Sequence, residues 1–440
     1  MLRLSHTLCV ALLLGAAWVR AENLSDIYRL ALANDPQYAA AREAYRAGLE
    51  KLPQARAGLL PSLNLTAFAR NSDTEVSGGS PSHTSNQPYG YALALTQPIY
   101  RKQNLETLAQ AQLQVTLAEQ QLKLAGQDLM LRAAQAYFEL LQAQDDLAQA
   151  QAQRQAFAEQ LKQARRAFEV GAATIVDSHE AQARHDLALA QEIAATNTLE
   201  VKRRALERLI GRPAPRLAPL KEPVRLPLPD PLQAEHWERR AEQSNLNVLA
   251  RMSAHEIARR EVERQRGGHY PTLDLTARYD DTRRTSTLPG GSSANRRDGV
   301  IGLEINLPLY QGGGVSARVR EAVANLEKAR YELDDARRTA ALAARQSYLG
   351  VVSGAARVKA LEQALVSSDT QLRSTKLGLE VGVRTRVDVL NAEQQRYTTL
   401  RDLAAARYQV LLAGLQLKAA AGSLDEADLK AIDALLADQP

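Results

Sequence analysis

Sliding the sequence along itself by 210 residues superposes Pro61 on Pro271, Leu63 on Leu273, Leu65 on Leu275, Leu93 on Leu303, Pro98 on Pro308 and Tyr100 on Tyr310. A shift of 211 then aligns Tyr137 with Tyr348, Glu169-Val170-Gly171 with Glu380-Val381-Gly382, Thr174 with Thr385, Asp177 with Asp388 and Gly211 with Gly422. A chain written twice builds two similar units, so a fold read for one half must also suit the other. The repeats are placed at 22–211 and 232–422, with 423–440 as a C-terminal tail. Between them, Gly211 to Pro231 holds seven of the 17 prolines. That density excludes helix and sheet interiors, so 212–231 reads as an extended linker, with a docking segment as the alternative.

Residues 1–21 read as an export signal: Arg3, an apolar run from Leu8 to Val19, and Val19-Arg20-Ala21 before a mature start at Glu22. Its removal takes away the single cysteine, Cys9, so neither a disulfide nor a lipid-bearing cysteine is expected. It leaves 53 Lys and Arg against 50 Asp and Glu, a balance that argues against a nucleic-acid partner. Beyond it no apolar run is long enough for a spanning helix.

Each half carries the same order of elements. A first helix is expected from about Pro36, capped by Asp35, to Gly58, and again from Asn245 to Gly267. Two strands follow, at about 61–70 and 90–100, then at 271–279 and 300–310. Leu273, Leu275, Ala277 and Tyr279 alternate with Thr272, Asp274, Thr276 and Arg278, the period-two pattern of a sheet with one apolar and one polar face. The stretches between paired strands, Asn71 to Tyr89 and Asp280 to Gly299, are rich in Ser, Gly, Thr and Arg and read as long solvated loops.

Long proline-free helices are expected next, over about 101–169 and 316–380, each roughly 100 Å at about 1.5 Å per residue. Val351, Val358, Leu365, Leu372 and Leu379 repeat every seven residues, matched by Leu140, Leu147, Leu161 and Phe168, which predicts coiled-coil packing. Short breaks at Gly171–Asp177 and Gly382–Asp388 lead into return helices at 177–210 and 388–421. The first is expected to open on a capping box, Asp177-Ser178-His179-Glu180.

Strands of about ten residues with one apolar and one polar face suit a membrane barrel. Four strands cannot close a barrel, and open edges are costly in lipid, so the chain must oligomerise. Two copies supply eight strands and a filled interior; three supply twelve and leave a lumen, the favoured solution.

Leu60-Pro61-Ser62-Leu63, Thr96-Gln97-Pro98-Ile99-Tyr100, Asn306-Leu307-Pro308-Leu309-Tyr310 and, above all, Val381-Gly382-Val383-Arg384-Thr385-Arg386-Val387-Asp388-Val389-Leu390 resemble the TolC family of outer-membrane efflux and secretion channels. The resemblance spans nearly all of the mature chain. It implies an α+β membrane protein: a homotrimer with a twelve-stranded barrel in outer-membrane lipid above a periplasmic α-helical barrel. It also implies work with a periplasmic adaptor and an inner-membrane transporter of the ABC or RND type. The unlipidated start and Ala421-Gly422-Ser423-Leu424 resemble the type I secretion branch.

By the same resemblance, Arg384 matches the family's gate arginine, Asp388 its pore-facing aspartate, and Asp177 an aspartate on the first-repeat tip. Helix N-capping is an equally good and compatible role for both aspartates. Gly171, Thr174, Gly382 and Thr385 fall at the tips, where the resemblance places adaptor contact. Leu379 stands where the family prototype has a gate tyrosine, and Asn391 where it has a second pore aspartate. Arg386 replaces the first half's Ile175, a charge without an assigned role.

Catalytic motifs are missing. His179-Glu180 is followed by His185, a spacing unsuited to a zinc site on one helix face, and Gly312-Gly313-Gly314 has Lys102-Gln103-Asn104 as its first-half counterpart, so it reads as a turn. Neither a cofactor, a metal nor an enzymatic activity is expected. Arg283, Arg284, Arg296 and Arg297 form a basic cluster, read as a solvated loop, with binding of surface polysaccharide or a phage as the alternative. The rival reading is an exported coiled-coil stalk or adhesin with a small soluble sheet.

Overall fold

The computed structural model describes residues 21–78, 82–286 and 293–437; the predicted leader lies outside them except for Ala21. The chain opens with α1 (Leu24–Asn34), α2 (Pro36–Leu49) and α3 (Lys51–Ala57). Asp35 does cap α2, its carboxylate accepting from Tyr38 N at 2.7 Å. The single expected helix is thus broken at Glu50, and α1 precedes it: Leu24, Ile27, Tyr28 and Ala31 share one face and are buried together.

Then come β1 (Ser62–Ala69), β2 (Ser72–Val76) and β3 (Ser82–Tyr100), followed by α4 (Lys102–Glu169) and α5 (Ile175–Ile210). The second half runs α6 (Ala234–Ser244), α7 (Leu246–Arg266), β4 (Thr272–Ser286), β5 (Ala294–Asn306), α8 (Gly314–Glu380), α9 (Arg386–Ala420) and α10 (Glu426–Asp433). Gly312 and Gly313 turn the chain into α8 with φ of 60° and 78°, a left-handed conformation that glycine adopts freely.

The strands form one antiparallel sheet in the order β1-β3-β4-β5, with β2 pairing the outer part of β3. Five strands are therefore present among the described residues, one more than expected. The predicted loops are corrected: backbone pairing continues through 72–76, 82–89, 280–286 and 294–299, while 287–292 lie outside the described residues. Polar Thr, Ser and Arg side chains disguised these extensions, because a strand with polar residues on both faces loses its apolar alternation.

Register confirms two distinct faces. Leu65, Leu93 and Tyr279 stand opposite one another, as do Leu63, Leu95, Ala277 and Ile301. The other face carries Thr66, Ala92, Asp280 and Asp298 on one rung. A register shift between Pro98 and Tyr100 sets Tyr100 opposite Leu273, so the ring joins the apolar face that strict alternation would deny it. Just below, Arg101 grips Asp274 with two bonds, Nε to Oδ1 at 2.8 Å and Nη2 to Oδ2 at 2.7 Å, fixing β4 to the start of α4.

α4 and α5 form one antiparallel hairpin, α8 and α9 another, and α4 also packs against α7 and α9. Stacking α2 and α3 end to end with α5, and α7 with α9, gives each long helix partners along its length. In the heptad seam Leu140, Leu161, Val351 and Val358 are buried, whereas Phe168 is 44% exposed, because the hairpins end there.

The largest core wraps the middle of α4. Leu129, Ala133, Tyr137 and Leu140 meet α1, Leu206 and Ile210 of α5, Leu217, and Leu429 and Ile432 of α10. The linker is extended and takes the docking alternative, as a strap: Leu217 pairs with Glu22, Leu220 pairs with Leu436, and Tyr137 Oη donates to Ala218 O at 2.7 Å. The tail adds a helix as well, opened by the Asp425–Asp428 capping box.

Candidate functional site at the helix tips

Both hairpins turn through the same local chemistry. After α4, Gly171 takes φ of 74°, and Gly171 N and Ala172 N donate back to Phe168 O and Ala167 O at 2.9 and 2.7 Å. After α8, Gly382 takes φ of 78°, and Gly382 N and Val383 N donate to Leu379 O and Gly378 O at 3.1 and 2.9 Å. Open space surrounds both glycines, so the positive φ, not crowding, selects the residue.

The return helices start at Thr174 and Thr385. Each threonine is the N-cap: Asp177 N donates to Thr174 Oγ1 at 3.3 Å, and Asp388 N donates to Thr385 Oγ1 at 3.2 Å. Each aspartate accepts from the threonine N at 2.9 Å. The capping box expected from Asp177 to Glu180 is thus displaced by three residues; Asp177 closes the box instead of opening it. The signal was available in Thr174-x-x-Asp177 and its copy, Thr385-x-x-Asp388, because Thr and Asp at that spacing satisfy each other's backbone.

These bonds hold the carboxyls of Asp177 and Asp388 below the usual aspartate value, Asp177 through the Thr174 hydroxyl and Asp388 through the Thr385 amide first. Two arginines add weaker pulls. Arg386, which had no assigned role, lowers Asp177 across the gap between the hairpins, and Arg384 lowers Asp388 on its own tip. Arg384 also folds back over Gly378, where an added Cβ would lie 2.6 Å from its Cγ. The site residues therefore form two tips, Gly171, Thr174 and Asp177 on one and Gly382, Arg384, Thr385 and Asp388 on the other.

Sequence reasoning missed the contacts that join the tips. Leu390 of α9 packs among Phe157, Leu161, Ala181 and Ala188 of the first hairpin. Arg184 Nη2 donates to Asn391 Oδ1 at 3.0 Å. Within the second hairpin, Lys376 pairs with the buried Glu393 at 2.8 Å. Among the described residues no group of His, Cys, Asp and Glu is arranged to hold a metal ion, and no helix is long and apolar enough to cross a membrane.

The family model for outer membrane efflux proteins matches residues 27–212 and 237–423, one match per repeat. The chain is 33% identical over 419 residues to the alkaline protease secretion protein AprF of Pseudomonas aeruginosa, covering 93% of this chain and 86% of that protein. It is 32% identical to the outer membrane protein TolC of Escherichia coli, covering 94% and 85%, and 32% identical to the proteases secretion protein PrtF of Dickeya chrysanthemi, covering 100% and 96%. Its fold is similar to the outer membrane protein VceC of Vibrio cholerae, with a TM-score of 0.76 at 20% identity over 91% of this chain and 96% of that one. The Campylobacter jejuni CmeC outer membrane channel gives 0.77 at 18% identity over 94% and 90%. With duplicated hairpins below a sheet whose apolar face lies open, the chain belongs to the outer membrane efflux protein family and is an outer-membrane channel of efflux and secretion with a large periplasmic portion.

Proposed function

We propose that three copies close into one conduit, β5 of each pairing with β1 of the next to make a twelve-stranded barrel. The observation that carries this reading is the pair of sheet edges. β1 and β5 end the sheet with Leu65 70% and Ile301 80% exposed, a combination of open backbone and apolar surface that neither water nor lipid tolerates in a single copy. Lower down, Leu187, Ile193 and Val201 of α5 and Leu342 and Leu349 of α8 stand exposed on the two flanks of the helical layer, as partners for each other in neighbouring copies.

Passage through the tube is controlled at its far end by the tips. Arg384, Asp388 and Asp177, each repeated three times around the axis, form rings that hold the aperture and bias which ions pass. The exposed turns at Gly171, Thr174, Gly382 and Thr385 are where a periplasmic adaptor docks, linking the channel to an inner-membrane transporter. An ABC transporter exporting proteins is favoured over an RND pump exporting small toxic molecules, because AprF and PrtF are protease secretion proteins.

Native mass of the detergent-extracted protein tests the assembly. Three chains in a detergent-bearing particle are expected. A soluble monomer that needs no detergent would sink the proposal and favour a coiled-coil stalk.

A further inference from the structure

We propose that the outward face of β4 and β5 carries a binding site for the phosphate groups of a glycolipid in the outer leaflet, formed by Arg283 and Arg297 above a tyrosine platform. The inference rests on the barrel reading, which makes the apolar face the lipid-facing one. Cross-strand partners share a face, so the register assigns each side chain to lipid or lumen. On the lipid side, Leu93 stands opposite Tyr279, then Tyr91 opposite Asp281 and Arg297, then Tyr89 opposite Arg283 and Asn295. The apolar run thus ends in tyrosines, and the arginines begin where the tyrosines are.

Tyr91 and Tyr279 lie 6.3 Å apart, centroid to centroid, and Tyr89 is exposed beside them. Tyrosines at such a boundary mark the depth where hydrocarbon gives way to headgroups. Tyr100 marks the other boundary after the register shift. From Tyr91 to Tyr100 is roughly 30 Å along the strand at about 3.3 Å per residue, or about 22 Å of height at a tilt near 45°, close to the apolar band of such barrels. Arg297 shares the Tyr91 rung, and Arg283 lies one like-facing rung further out. Both are therefore at headgroup height.

The two arginines occupy diagonal positions across the β4–β5 pair, about 7–8 Å apart at the backbone, so both guanidiniums can reach one phosphate. Gly299, opposite Tyr279, leaves a notch in which an added Cβ meets nothing. Arg297 is held by Asp281 at 3.2 Å, while Arg283 makes no ion pair among the described residues. Two cations and one carboxylate leave the patch positive. Asp73 faces the same side but lies beyond β3, where it accepts from Ser85 Oγ. The neighbouring Arg284 and Arg296 belong to the opposite face, on the rungs of Pro88 and Thr282, and are the internal control.

The test uses the detergent-purified full chain and bisphosphorylated lipid A, with bound lipid counted by native mass spectrometry. Wild type is expected to retain lipid A. The double variant Arg283→Gln, Arg297→Gln is expected to bind it at least about tenfold more weakly, the scale of losing charge-assisted bonds, while Arg284→Gln binds as wild type. Dephosphorylated lipid A should bind wild type and the double variant alike. Equal lipid A binding by wild type and the double variant would overturn the site, as would equal wild-type affinity for the dephosphorylated lipid. Full displacement by inorganic phosphate would overturn the assignment to a lipid. Single-channel conductance of the same preparations separates the two levels: conducting channels without phosphate-dependent lipid binding remove the site alone, and protein that neither binds a micelle nor conducts removes the barrel reading too.

Discussion

Arg184 reaches from α5 to α9 and donates from Nη2 to Oδ1 of Asn391 at 3.0 Å, joining the two hairpins beside their tips. A neutral side chain at 391 therefore has a structural use here as a hydrogen-bond acceptor. Arg184→Ala is expected to loosen the hairpin pair by about 1 kcal/mol, given the exposed setting. That shifts a closed–open balance about fivefold. Planar-bilayer recordings should show more frequent opening, and recordings indistinguishable from wild type would remove this latch.

Arg384→Glu is expected to raise single-channel conductance. The substitution sets a carboxylate against Asp388, whose charge Arg384 now favours, and turns attraction within the tip into repulsion. Arg384→Lys keeps the charge and should stay close to wild type. If Glu and Lys variants conduct alike, charge at this position does not govern the aperture.

The paired capping boxes predict an acid-sensitive tip. Because the folded carboxyls of Asp177 and Asp388 titrate below the ordinary 3.8, their contribution is fully present above that value and is lost as pH falls through the lower folded one. Protection of the amides in 171–178 and 382–389, relative to their intrinsic exchange, should fall selectively below about pH 4. Thr174→Ala, expected to cost about 1 kcal/mol locally, should raise exchange in the first segment at neutral pH. Protection factors in these segments that stay constant from about pH 3 to 7 would show that the boxes do not hold the tips.

At the edge of the mid-length core the sign reverses. Tyr408 Oη donates to Asp145 Oδ2 at 2.7 Å, yet burial pushes the Asp145 carboxyl above its usual 3.8. Its favourable contribution is complete below 3.8 and fades as pH rises through the raised value, so at neutral pH a charge is held where little water screens it. Asp145→Asn keeps an acceptor for Tyr408 and removes that charge. It should raise the thermal midpoint at pH 7 by up to about 2 °C, with the gain vanishing below pH 4. A lower midpoint at pH 7 would contradict the burial argument.

Gly211 and Gly422 are repeat equivalents with unequal tolerance. Both have positive φ, 71° and 68°, so alanine strains either by about 1 kcal/mol. At Gly422 a Cβ would also lie 2.0 Å from Ser244 O, against 3.0 Å from the Asn34 side chain at Gly211. Gly422→Ala should therefore sharply reduce folded yield while Gly211→Ala is mild. Similar yields would mean that the turn at Ser244 gives way easily.

Much of this architecture was readable from the sequence because long elements accumulate periodic signal: the heptads through Val351 and Val358, the alternation through Leu273 to Tyr279, and the duplication itself. Short elements escaped. α1 carries Leu24, Ile27, Tyr28 and Ala31 behind the cap Asn23, and α10 carries Leu429 and Ile432 behind Asp425, but in helices of 11 and 8 residues only tertiary burial decides the outcome. The docking of the strap was left open for another reason. Proline density excludes regular structure without saying where a segment lies, and Leu217 and Leu220 give no periodicity to announce burial. At the tips the residue types were legible, whereas Arg184 and Asn391, 207 positions apart, are brought together only by the packing of the two hairpins.

The strap and α10 impose an order on biogenesis. Leu217 pairs with Glu22 and Leu220 with Leu436, so the strap ties two distant parts of the chain together, and Leu424, Leu429 and Ile432 fill the same core as Leu24 and Tyr137. A nascent first repeat has its hairpin but lacks the residues that seal its own middle, which emerge some two hundred positions later. A chain cut short before Leu424 leaves that seam raw, so the first repeat's core closes only once the residues from Leu424 to Leu436 are in place.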